Sequence, residues 1–135
     1  MSVSNQPRYL LLKIDPRPRR RAERLTDHLI RAGFQVISVS TISEAERIIR
    51  RVVPTLILVF DDIKRNVDAM IWITQQQSGA SAQLAMTPLL ILAHPSRQRL
   101  LRFQELPDRV RVLPHNLSPE ELLQHIHRML SVWLF

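Results

Sequence analysis

The chain contains no cysteine, which removes disulfides, thiolate-held zinc and a cysteine nucleophile at once and fits a reducing compartment. Glycine is nearly missing as well, with only Gly33 and Gly79. Neither the G-x-G-x-x-G fingerprint nor a P-loop can be written anywhere along it, so glycine-rich phosphate cradles are excluded. No apolar run approaches the roughly 18 residues needed to span a bilayer. The polar start "MSVSNQPR" also lacks the apolar centre of a secretory signal, so the expectation is a soluble, cytoplasmic protein with no membrane partner. Lysine is confined to Lys13 and Lys64, yet the formal charge is +7, so the excess is arginine. That balance favours an acidic partner and carries no information about fold.

A length of 135 residues with 45% hydrophobic content predicts one domain, residues 1–135, with a core over about 8–131. "RYLLLKID" reads as a short apolar strand. The helix after it, "RPRRRAERLTDHLIRAGF", has Ala22, Leu25, Leu29 and Ile30 on one side and Gly33 as its C-cap. "QVISVST" alternates into a second strand, and "SEAERIIRRV" follows as a helix opened by a capping box of Ser43 and Glu46. "TLILVF" is the continuous apolar run of a strand buried on both faces, and "NVDAMIWITQQQ" has helical spacing at Val67, Met70, Ile71 and Ile73. After a polar excursion, "QQQSGASAQ", the strand "PLLILA" and the helix "SRQRLLRFQEL" repeat the unit. "VRVL" is a weaker fifth strand suited to a sheet edge. "SPEELLQHIHRMLSVWLF" closes the chain as a helix with a capping box, Ser118 and Glu121, and proline at its first position.

Strands alternating with helices predict an α/β fold with a parallel sheet covered on both faces, because each right-handed crossover packs its helix back on the sheet. The expected form is a flavodoxin-like (βα)5 three-layer sandwich with five strands in the order 2-1-3-4-5. Ligands in such sheets bind beyond the carboxyl ends of the strands, which draws attention to "PTLILVFDDIK", a buried strand running into Asp61 and Asp62.

Over roughly Arg8 to Leu130 the chain resembles the receiver domains of two-component response regulators. The likeness rests on "RAGFQV", the strand introduced by Pro54, the strand led by Pro88, and the closing "LSPEELLQHI". It implies an acidic pair ending the first strand to hold Mg²⁺, a phosphoacceptor aspartate ending the third, a hydroxyl ending the fourth and a lysine ending the fifth. Hard oxygen ligands suit Mg²⁺, and catalysis of phosphoryl transfer is nearly all positioning and charge stabilisation. The corresponding positions here are Asp15, with no second acid beside it, then Phe60, Ala93 and His115, the last followed by Asn116 in place of the family's proline. The resemblance therefore implies a degenerate pseudo-receiver with no catalytic residues, cofactor or metal, acting as a protein-interaction module in bacterial signalling. A displaced phosphoacceptor, Asp61 or Asp62, is the enzyme-like alternative. Asp61 should point away from Phe60 by strand alternation, however, and the plainer reading of both acids is a solvated loop.

Two surfaces stand out as candidates. Arg17, Arg20, Arg24 and Arg31 recur at helical spacing on the first helix, and Arg47, Arg50 and Arg51 load the second; these could contact nucleic acid or an acidic partner. The alternative function is accordingly a nucleic-acid-associated regulator. The last helix carries more apolar surface than one side needs, and in receivers the fourth helix, fifth strand and fifth helix commonly form a dimer or effector interface. Leu101, Phe103, Met129, Trp133 and Phe135 are its expected anchors, with a homodimer as the expected assembly. The histidines do not read as a metal site, since His125 and His127 are two apart and diverge on a helix, whereas His115 falls close to Phe60 and Ala93.

Overall fold

The computed structural model describes residues 9–78 and 81–133. Five strands, β1 (Leu10–Ile14), β2 (Gln35–Val39), β3 (Leu56–Phe60), β4 (Leu89–Ala93) and β5 (Val110–Pro114), form one parallel sheet in the order β2-β1-β3-β4-β5. The helices between them are α1 (Arg19–Arg31), α2 (Ile42–Ile49), α3 (Ala69–Gln77), the short α4 (Ala82–Ala85), α5 (Pro95–Phe103) and α6 (Pro119–Trp133). Strand order and parallel pairing are those expected of a flavodoxin-like sandwich.

Strand alternation divides the core in two. Leu12 and Ile14 of β1, Ile57 and Val59 of β3, and Leu89, Ile91 and Ala93 of β4 pack against α2, α3 and α5. Their neighbours Leu11, Leu56, Leu58, Phe60, Leu90 and Leu92 pack against α1 and α6 on the other face. β3 and β4 are buried at every position, which is why their sequences are unbroken apolar runs, while the edge strands β2 and β5 interleave exposed residues.

Local chemistry departs from the sequence reading in several places. The cap of α2 is Thr41, whose hydroxyl accepts from the Glu44 N–H at 3.1 Å and donates to the Glu44 carboxylate at 3.1 Å, not Ser43 with Glu46. Both are S/T-x-x-E patterns two residues apart, and the one followed by the buried Ala45 sets the helix start. Ile30 lies on the water side of α1, half exposed, and so does Ile71 of α3. The anchor of α3 is instead Trp72, fully buried, with its indole N–H donating to Gln76 Oε1 at 3.1 Å. Gln76 in turn donates to the carbonyls of Leu84 and Thr87, so part of the supposed polar excursion belongs to α3 and part forms α4. α5 begins at Pro95 and ends at Phe103, short of Leu106. The capping box of α6 is as expected: the Glu121 N–H donates to Ser118 Oγ and the Ser118 N–H to Glu121 Oε1. Gly33 sits after α1 with φ +101°, a conformation that favours glycine.

Candidate functional site

At the carboxyl end of the sheet, period-2 geometry puts Leu11, Lys13 and Asp15 on the α1 face of β1. Lys13 is therefore buried beneath α1, fully shielded, where its ammonium donates to Asp15 Oδ2 at 2.8 Å and to the Ala22 carbonyl at 2.9 Å. Asp15, 2% exposed, also accepts two bonds from the Arg17 guanidinium, Nε to Oδ1 and Nη2 to Oδ2, both at 2.8 Å. The Arg17 backbone N–H adds a third contact to Oδ1 at 3.1 Å. Burial pushes the Asp15 carboxyl up, but the hydrogen bonds and charges of Arg17 and Lys13 outweigh it and hold its pKa below the ordinary value. For Lys13, burial wins over the attraction of Asp15 and lowers the ammonium pKa.

Anchored in this way, Arg17 lies flat over Phe60, its guanidinium carbon 3.9 Å from the ring centroid, within cation–π range. The side chain at the expected phosphoacceptor position is thus an aromatic ring covered by a fixed cation. Both oxygens of Asp15 are committed to cations, so the donor set does not fit Mg²⁺, which demands oxygen ligands free to approach it. Among the described residues, no three His, Asp or Glu side chains converge in a way that could hold a metal.

Asp61 and Asp62 separate in role. Asp61 is 3% exposed and far from a solvated loop: it accepts from Arg97 Nε at 2.8 Å and Nη2 at 3.1 Å, and from the Ala69 N–H at 2.8 Å. Asp68 accepts from the Met70 N–H at 2.9 Å and from Arg97 Nη2 at 3.0 Å. The two carboxylates cap the N-terminus of α3, where orphan N–H groups and the helix dipole favour negative charge, and Arg97 of α5 ties both to the opposite side of the crevice. Asp62 is half-buried. It closes a small loop by pairing with Val67, with Asn66 in the left-handed region at φ 64° and Arg65 3.8 Å away.

His94 and His115 complete the crevice. Their ring centroids lie 3.8 Å apart with the planes tilted by 31°, and the His115 backbone N–H donates to the Ala93 carbonyl. Ala93 itself points to the α2–α3–α5 face, so its neighbours Leu92 and His94, not Ala93, border the cleft. His115 Nδ1 is buried, with no close hydrogen bond among the described residues. Burial, first, and then the positive field of His94 lower the His115 pKa; the Ala93 carbonyl opposes them, and Arg21 and Arg17 add to the lowering. The cleft encloses about 280 Å³ between Phe60, Arg17, Arg21, Arg65 and the two histidines.

The other candidates sort by burial and by face. Leu101 and Met129 are core residues, fully and almost fully buried, and cannot anchor an interface. Each lies on the inward stripe of its helix, and helical spacing alone does not say which apolar stripe faces the sheet. Trp133 is half-buried against the α1–α6 core, a helix end folded back on its own domain, and Phe135 lies outside the described residues. Phe103 is 91% exposed, and Leu100 and Val132 are exposed as well. Arg20, Arg24 and Arg31 are exposed on α1 and Arg47, Arg50 and Arg51 around α2, but those helices cover opposite faces of the sheet. Arg17 is spent on Asp15, so the arginines do not make one continuous basic face.

No protein-family model matches the chain, and no curated protein matches it in sequence. Solved structures do. A protein from Chloroflexus aurantiacus described as a response regulator is 20% identical with a TM-score of 0.76, over 93% of this chain and 99% of that one. A chemotaxis response regulator of Vibrio cholerae is 17% identical, TM-score 0.73, over 91% and 99%. The receiver domain of a signal transduction histidine kinase from Syntrophus aciditrophicus is 21% identical, TM-score 0.73, over 92% and 91%. The architecture is that of receiver domains. At these identities the likeness establishes the fold alone.

Proposed function

We propose that the chain is a receiver-like module that works without phosphorylation, by binding another protein in bacterial signalling or regulation in the cytoplasm. The observation that carries this reading is the Arg17 guanidinium 3.9 Å above Phe60, at the strand end where receivers accept phosphoryl. Asp15 beside it is neutralised by two cations, and the displaced candidate, Asp61, has both oxygens bound to Arg97. Structural neighbours described as signalling proteins supply the context. Incubation with Mg²⁺ and acetyl phosphate is expected to leave the intact mass unchanged. A phosphoryl increment that disappears in an Asp61→Asn, Asp62→Asn variant would sink the reading.

The contact surface that fits is the β5 edge with its two flanking helices, now centred on Phe103, Leu100 and Val132, with Trp133 at its margin. A groove of about 530 Å³ runs there between β5 and α6, past Arg111, Val112, His125 and Val132. Arg102 Nη2 donates to the Val112 carbonyl at 3.1 Å, which occupies part of the open strand edge and favours side-chain docking over strand addition. A second copy of the chain is the simplest occupant. Sedimentation is expected to show a dimer whose dissociation constant rises at least roughly tenfold in Phe103→Ala, a loss of about 1.4 kcal/mol. A wild-type monomer at every concentration would eliminate the homodimer and leave a different protein as the partner. The nucleic-acid reading is the weaker one, because the exposed arginines are split between the two faces.

A further inference from the structure

A groove of about 390 Å³ lies at the opposite end of the sheet from Phe60, where the C-terminus of α2 and the loop before β3 meet α3 and α4. Its walls are apolar: Leu84 is buried, Ile49 is half-buried, and Val52 and Val53 are 37% and 42% exposed. Ile71, half exposed one turn before Gln75 on the same side of α3, extends the apolar surface beyond it. Single exposed aliphatic side chains need no explanation, but these share one groove. Its rim is basic. Arg50 and Arg51 line it without an ion pair among the described residues, and Glu46 is the one acid among the described lining residues. The dipole of α2 favours cations at that helix end, which accounts for the sign of the charge and not for the apolar wall beside it.

We propose that this groove docks an acidic amphipathic helix of a partner protein, with apolar side chains against Ile49, Val52, Val53 and Leu84 and carboxylates toward Arg50 and Arg51. β3 and β4 above the groove are each paired on both sides, so an extended peptide has no strand edge to add to there. A helix brings its backbone groups already satisfied and needs only side-chain contacts, and its carboxylates match the guanidinium forks. A nucleic acid would match the two arginines and leave the valines without a counterpart. The chain itself carries a formal charge of +7, so the acidic partner is a different protein. This surface is separate from the groove between β5 and α6, and docking there does not depend on self-association.

The test uses the whole chain and a synthetic peptide of about 15 residues, long enough to hold a helix, with leucines in one helical stripe and glutamates flanking them. NMR titration is expected to show saturable shifts at the methyl groups of Ile49, Val52, Val53 and Leu84. Val53→Asp, and separately Arg50→Glu with Arg51→Glu, should each raise the dissociation constant at least roughly tenfold. Arg31→Glu, on α1 across the sheet, should leave it unchanged. All of these positions are exposed, so the variants are expected to fold, and circular dichroism verifies it. The same peptide with lysine in place of glutamate should not bind. No saturable shift, equal binding of the lysine peptide, or equal weakening by Arg31→Glu would overturn the proposal. Shifts confined to Val112 and Val132 would overturn it by placing the peptide on the β5–α6 face. Binding of a DNA duplex in place of the peptide, lost with the two arginines but kept in Val53→Asp, would overturn it in favour of a nucleic-acid surface.

Discussion

Asp15→Ala is expected to lower the unfolding free energy by about 3–5 kcal/mol, measured by chemical denaturation near neutral pH, because it leaves a buried charge without its counterion. That charge is Lys13, whose ammonium is fully shielded and would retain only the Ala22 carbonyl as a partner. The reciprocal change is expected to be much milder. Lys13→Met leaves Asp15 with both guanidinium bonds of Arg17 and replaces an expensive buried ammonium by an apolar side chain of similar length, so a loss under about 1.5 kcal/mol is expected. Equal losses in the two variants would mean that Lys13 and Asp15 act as an isolated pair and that Arg17 contributes nothing. The pH dependence gives a second check. The Asp15 pKa lies below its ordinary value of 3.8, so its contribution is fully present above that value and is lost as the pH falls through the lower, folded-state value. The gap between wild type and Asp15→Ala should therefore narrow in strong acid. In the variant, Lys13 has lost the one partner that raised its pKa, so the folded chain holds that proton less tightly than the unfolded chain does. Its stability should rise with pH up to the ordinary lysine value of 10.5.

The same cluster shows how far the sequence could be read. The sheet was legible because β3 and β4 are apolar at every position, and burial on both faces of a parallel sheet requires that of a strand. The pseudo-receiver expectation came from Phe60 standing where the family resemblance implies an aspartate. The structure adds what surrounds that ring. Lys13 and Asp15 are two apart on a strand and so share a face, a signal present in "LLLKID" that apolar scoring passes over. Arg17 over Phe60 depends on a turn that brings residues 43 positions apart together, and no local pattern announces it. Leu101 and Met129 were misread for a related reason: helical spacing identifies an apolar stripe, but only the packed sheet decides which stripe is inside. Trp72 was passed over because α3 opens with five consecutive apolar residues, so its spacing did not single out the inward side.

Arg97→Met is the second change with a large expected effect, and it concerns Asp61, which follows the central strand, and Asp68, which caps α3. Asp61 and Arg97 are separated by 36 residues, yet the guanidinium meets both oxygens of a carboxylate that is 3% exposed. Removing it leaves Asp61 with the Ala69 N–H as its sole partner and deprives Asp68 of its cation, so a loss of about 3–5 kcal/mol is expected. Arg97 keeps one-fifth of its side chain in water, which places the value toward the lower end. A double-mutant cycle separates the ion pair from packing: Asp61→Asn in the Arg97→Met background removes the stranded charge while keeping an acceptor for Ala69. Part of the loss should be recovered, with a coupling energy of roughly 1–3 kcal/mol. Additive losses would show that Arg97 matters through its stem and not its charge. A positive coupling has a consequence beyond stability. It means that the loop after β3, the N-terminus of α3 and the first turn of α5 are held as one unit across the crevice. α5 is the helix that ends in Phe103, so the position of that exposed residue is set in part by the carboxylate that follows β3. Arg97→Met should accordingly weaken the proposed self-association even at temperatures where the chain remains folded, and an unchanged dissociation constant would show that the two ends of α5 are independent.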